Sequence, residues 1–205
     1  WMARATCDAD GRYRAEASEP VRDATTFLAD LRASVPAGDP VLTGFDFPIG
    51  VPRAWADAAG VADFPSFLRD IGHGHWPDFL EPAAHRQEIS VGRPFYPHRP
   101  GGTRQAHLLE ALGLSHMDQL RRRCDLAGPN RRSACPIFWT LGGQQVGKAA
   151  IAGWREMLIP ALSRTSATGG GAASSHERRD EVTRDASGTR INLRIGARPP
   201  MRINP

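Results

Sequence analysis

Lysine is nearly absent from this chain: Lys148 stands alone against 25 arginines. So strong a bias reads as the mark of a GC-rich coding sequence rather than of phosphate recognition. Cysteine is scarce too. Cys7, Cys124 and Cys135 form an odd set at wide, irregular spacing. That excludes a disulfide framework and a standard zinc knuckle, and it predicts a reducing, cytoplasmic setting. No stretch approaches the roughly 18 unbroken apolar residues of a membrane helix, so no membrane partner is expected. The start, WMARATCDADGRYR, carries a charge at its fourth residue and has no apolar segment, so it does not read as a signal peptide. Trp1 ahead of Met2 predicts a fragment whose start lies upstream. Aromatic residues are missing after Trp154.

What is present suits one ordinary domain and a tail. The chain has 205 residues, 40% hydrophobic and 23% charged. Residues 163–205 hold eight Arg and four acids, whereas residues 1–162 balance 18 basic against 18 acidic side chains. The basic character therefore belongs to the tail, and charge alone does not argue for nucleic acid. Residues 163–190 have Val182 as their only large aliphatic side chain past Leu162, too little apolar surface to offset chain entropy. The tail 163–205 is thus predicted to be disordered, with Ile191, Leu193 and Ile195 alternating as one short strand would. Its composition is also what a GC-rich gene gives when read out of frame.

Residues 1–162 read as an α/β domain. Residues 1–7 and 12–17 alternate around Asp8-Ala9-Asp10-Gly11, a hairpin signature. Val21, Thr25, Leu28 and Leu31 share one face of a helix over 21–33. Residues 41–46 read as a short buried strand and 136–141 as another. Helices are predicted at 53–60, 64–71, 104–112, 116–126 and 146–162, with a loop-rich segment over 72–102. The order implies a mixed sheet flanked by helices.

Asp46 lies between Phe45 and Phe47 at the end of the 41–46 strand. A buried carboxylate there must be paired, hydrogen-bonded or bound to metal. Two readings stand: a Mg²⁺ or Mn²⁺ ligand, or an acceptor for the Pro48-Ile49-Gly50 turn. Gly142-x4-Gly147-Lys148 has the spacing of a phosphate-binding loop between a strand and a helix. Ala149, however, stands where such a loop has the Ser or Thr that holds Mg²⁺. The loop is read as a nucleotide site, as a contact from Gly143, Gly147 and Lys148 to a substrate phosphate, or as a turn into a helix packed through Ile151, Trp154, Met157 and Leu158. Thr103 is a candidate N-cap that would set Arg104 and the first helical amides toward an anion. Arg121, Arg122 and Arg123 are consecutive and spread over some 200° of a helix, so they read as a solvated face. His73-Gly74-His75 and the other histidines lack supporting Cys or acids and read as surface residues. Trp76 and Tyr96, beside prolines, read as packing that orders the long loop.

The segments VLTGFDFPIGVP, RPFYPHRPGG, RRRCDLA and SACPIFWTLGGQQVGKAAIAGWREML together resemble an uncharacterised bacterial family with a ribonuclease H-like nuclease fold, over roughly residues 1–162. The resemblance implies that 1–7 and 12–17 are the second and third strands, 21–33 the helix and 41–46 the fourth strand, with the first strand missing. It further implies an acidic cluster for divalent metal, to which Asp46 contributes one carboxylate. No segment of 163–205 matches the family's acid-bearing strand beyond the long helix. The function implied is a Mg²⁺- or Mn²⁺-dependent nuclease or phosphodiesterase, impaired in this incomplete chain. Asp46 would be the metal ligand, Lys148 and Asp46 catalytic, and Arg104, Gly143, Gly147 and Lys148 phosphate contacts. Its partner would be nucleic acid or another phosphodiester. The alternatives are a nucleotide- or phosphate-binding protein using Gly142–Lys148, and a non-catalytic binding module.

Overall fold

The computed structural model describes residues 1–142 and 145–167. Gly143 and the segment from residue 168, including the Ile191–Ile195 alternation, lie outside the described residues. The architecture is mixed α/β, with a small antiparallel sheet and a larger helical part. Strands β1 (Ala5–Cys7) and β2 (Tyr13–Ala15) pair with Ala5 opposite Ala15 and Cys7 opposite Tyr13. The predicted turn forms because Asp8 Oδ1 accepts the amides of Asp10 at 3.1 Å and Arg12 at 2.9 Å. A further bridge joins Met2 to Glu19.

Helix α1 (Phe27–Ala33) begins later than the apolar spacing predicts. Asp23 is the reason: its carboxylate takes the Thr25 amide at 2.8 Å and the Thr25 hydroxyl at 2.7 Å, which holds the backbone in a turn. Helix α2 (Arg53–Ala59) follows Pro52 and carries an Arg53–Asp57 pair at 2.7 Å. Helix α3 (Phe64–Asp70) is capped by Asp63, whose carboxylate accepts the Ser66 amide at 2.7 Å. Helix α4 (Ala106–Leu112) buries His107, Leu108 and Leu112. Helix α5 (Val146–Gly153) runs through a π-helical turn, Trp154–Leu158, into α6 (Ile159–Ala167), beyond the residue-162 limit expected of the domain.

Three expectations are corrected. Residues 41–46 form no strand: no backbone–backbone hydrogen bond involves them among the described residues. Burial alternates, with Val41, Thr43, Phe45 and Phe47 half-buried, while Leu42 is 91% exposed, but Pro40, Gly44 and Pro48 bound the stretch and no strand lies alongside. Residues 136–141 likewise give one parallel bridge, Trp139 with Tyr96, because Ile137 and Phe138 sit in a turn closed from Trp139 to Pro136. The two segments therefore build no mixed sheet among the described residues. Residues 116–126 form two 3₁₀ turns, Met117–Leu120 and Arg123–Asp125, instead of a helix. The chain is extended at Arg121 and Arg122, where each arginine folds back onto a nearby aspartate.

Among the described residues the buried hydrophobic core runs from Trp55 to Leu162. Its centre is aromatic. Trp55, Phe67, Trp76 and Phe79 meet edge-on or tilted, and Phe79 continues the contact to Phe95, Phe138 and Trp154. The loop-rich segment after α3 is ordered by this cluster, as its aromatic content predicts.

Candidate functional site

The Asp46–Gly50 loop is held by three contacts from distant parts of the chain. The Trp154 indole N–H donates to Pro48 O at 2.7 Å. The Arg122 guanidinium donates to Ile49 O at 2.8 Å. The Phe47 ring lies against Gly153, where a Cβ would collide with it. Arg122 is itself fixed by two bonds to the Asp125 carboxylate, at 2.7 and 2.8 Å. Both side chains of that pair are nearly out of solvent, at 13% and 8% exposure. A bidentate guanidinium–carboxylate pair with its remaining donor on a carbonyl is a stiff joint.

Asp46 is exposed, so the expected cost of a carboxylate in a core strand does not arise. Nor does it cap the Pro48-Ile49-Gly50 turn: among the described residues its carboxylate has no hydrogen-bond or ion-pair partner. A loop anchored three times thus presents one unengaged acid to solvent.

Lys148 is also exposed and pairs with no carboxylate among the described residues. It makes no ion pair with Asp46. The loop docks at Gly153, five residues further along α5, which at 3.6 residues per turn puts Lys148 about 140° around the helix and ~7.5 Å along it. Gly147 has a packing role. Its amide donates to Trp139 O at 3.2 Å. A Cβ there would stand 2.7 Å from Trp139 O and 2.8 Å from Ile137 O. That amide is engaged before any phosphate arrives. Gly143, the other glycine assigned to phosphate, lies outside the described residues.

Arg104 is exposed, just ahead of α4. Thr103 is not the cap. The helix starts after Gln105, whose side chain makes no cap bond, and Arg104 O accepts the His107 amide at 3.1 Å. His107 faces inward, its Nδ1 3.0 Å from the Tyr96 hydroxyl, so this pair is buried packing. Arg122, Asp125, Trp154 and Gly153 escaped the sequence reading as positioning residues. The Arg122-x-x-Asp125 spacing was a visible signal for one of them; the reach of Arg122 across 73 positions to Ile49 was not.

Titratable groups elsewhere follow their contacts. Hydrogen bonds from the Thr25 hydroxyl and amide hold the Asp23 carboxyl below its ordinary range. The Ala84 amide does the same for Glu88, helped by Arg93. Burial pushes the Cys124 and Cys135 thiols up.

Among the described residues, the divalent centre that the resemblance implies would have Asp46 as its one assigned ligand. Among the described residues no three His, Cys, Asp or Glu side chains come together as an ion-binding group. A two-ion phosphodiester centre needs several carboxylates around ions about 4 Å apart. No helix among the described residues is long and apolar enough to cross a membrane. No protein-family profile, curated protein or solved structure matches the chain.

Proposed function

We propose that this chain is a ribonuclease H-like domain that engages a nucleic acid or another phosphodiester without cleaving it efficiently in its present form. One observation carries the reading: the Asp46 loop is anchored by Trp154, Arg122 and Phe47, yet Asp46 itself contributes to none of those contacts. The loop is held through the Pro48 and Ile49 carbonyls and the Phe47 ring, so the exposed Asp46 carboxylate has no part in holding it and is open to a ligand. Arg104 and Lys148, exposed and without carboxylate partners among the described residues, supply cationic contacts for phosphate. Efficient hydrolysis is left out of the reading because, among the described residues, no carboxylate group joins Asp46 and a single carboxylate cannot hold two ions.

The nucleotide-binding alternative finds less support, since the Gly147 amide that would cradle a phosphate is bonded to Trp139 O. The test is fluorescence anisotropy with labelled single-stranded and structured RNA and DNA, with and without Mg²⁺, alongside a cleavage assay in Mn²⁺. Binding should occur without cleavage. Arg104→Ala with Lys148→Ala should weaken it and flatten its salt dependence. Mn²⁺-dependent cleavage abolished by Asp46→Asn would overturn the non-hydrolytic reading. Binding of ATP lost in Lys148→Ala would favour the nucleotide site.

A further inference from the structure

We propose that the outer edge of β2 pairs antiparallel with the same edge of a second copy of this chain, joining two hairpins into one continuous sheet. The proposal does not rest on the phosphodiester reading. A two-stranded hairpin is marginal by itself in water, and both strands of this one are exposed along their whole length. The hydrogen-bond pattern shows which backbone groups are spare. The Glu16 amide donates to Arg4 O and the Asp8 amide to Arg12 O, both at 2.9 Å. Arg12, Arg14 and Glu16 therefore turn their backbone groups toward β1. Tyr13 and Ala15 lie in the alternate pairs, opposite Cys7 and Ala5, and turn theirs outward. Residues 9–20 are all exposed, so among the described residues no other element covers that edge. An open edge of this kind is a template for another strand.

Charge selects both the occupant and the register. With a two-fold axis at Ala15, Arg14 of each copy stands opposite Glu16 of the other. Opposed side chains of this kind have Cβ atoms about 4.5 to 5.5 Å apart, and opposite charges there are favourable. An axis at Arg14 or at Glu16 would set like charges face to face, and one at Tyr13 would set Arg12 against Arg14. Both partners are available. Glu16 is in no ion pair among the described residues. Arg14 reaches Asp8 only at 3.6 Å, with 81% of its side chain exposed. The outer edge of β1 has no such complement: an axis at Ala5 would set Arg4 opposite Thr6. On the other face of the sheet, Tyr13 is 77% exposed. In the Ala15 register it lies opposite Ala17 of the second copy, which gives its ring an apolar neighbour. The same patch serves on both copies, so the assembly closes at a dimer.

Sedimentation velocity on the full chain over a concentration series should show a reversible monomer–dimer equilibrium. Arg14→Glu and Glu16→Arg should each raise the dissociation constant about tenfold or more, since each sets like charges opposite at two positions. Mixed in equal amounts, the two variants should dimerise again, because one then presents two arginines and the other two glutamates. Amide hydrogen exchange of the parent chain, read residue by residue by NMR, reports on the edge directly. Protection of Tyr13 and Ala15 should rise with protein concentration, while that of Ala5 and Cys7 should not. A monomer at every concentration, protection gained at Ala5 and Cys7 instead, or a mixture that stays monomeric while both variants keep the parent's circular dichroism would each overturn the proposal. The exchange measurement decides the matter if either variant misfolds.

Discussion

Single atoms decide how close the Asp46 loop can come to its support. Gly147 lets α5 sit against the carbonyls of Ile137 and Trp139, which as backbone cannot move aside. Gly147→Ala should cost about 1–3 kcal/mol by overpacking. The same change at Gly102, where a Cβ meets nothing, tests backbone strain alone, since its φ is +59°. Urea unfolding of both variants separates the two effects. Arg122→Ala would leave Asp125 buried and unpaired, and should destabilise by roughly 3–5 kcal/mol. Asp46→Asn touches no structural contact and should stay within about 0.5 kcal/mol of the parent. Glu88 gives a pH test. Its folded carboxyl sits below the ordinary value of 4.5, so it adds stability above that pH and loses it as pH falls through the depressed value. Glu88→Gln should therefore be less stable than the parent at neutral pH, with the two converging in acid. A constant difference across the range would count against this.

Between α5 and α6 the helix widens into the π-helical turn Trp154–Leu158. Such turns re-aim side chains and often accompany functional segments. Here Trp154, its first residue, carries the bond to Pro48 O. Trp154→Phe keeps an aromatic in the core but leaves that carbonyl without its donor, costing about 1–3 kcal/mol. Hydrogen exchange should rise at residues 46–51 more than in α3. Uniform change would mean that the bond does not secure the loop. Helices α2 and α3 were legible because their stops and caps are local: Pro52, Asp63 and the Arg53–Asp57 pair lie within a few residues. Residues 41–46 and 136–141 misled because apolar content resembles a strand, whereas a strand exists only if another supplies its hydrogen bonds. The 116–126 stretch breaks into two turns because the backbone is extended at Arg121 and Arg122, where the Asp125 carboxylate takes the Arg122 amide and starts a second turn.

Across the whole molecule, stability is unevenly spread. The buried hydrophobic core runs from Trp55 to Leu162, while β1, β2 and α1 contribute no fully buried residue. Residues 1–33 are therefore expected to open locally at lower free energy than the aromatic cluster. Native-state hydrogen exchange in rising urea checks this. Amides of β1, β2 and α1 should exchange through openings that urea barely alters, while those near Trp55 and Phe79 follow global unfolding. Equal protection throughout would show that the hairpin and α1 are integral to the core.

Composition and local spacing were enough to establish the α/β mixture, the Asp8–Gly11 turn, the short helices and the aromatic weight of residues 53–162, because turns, caps and apolar faces are properties of neighbouring residues. The candidate acid, Asp46, was legible as an acid among aromatics. Its exposure, and its lack of an ion pair with Lys148, were not. Those were decided by contacts across long stretches of chain, from Arg122 to Ile49 and from Trp154 to Pro48. Whether a residue is buried, paired or free depends on what the fold brings beside it, and no spacing along the chain encodes that.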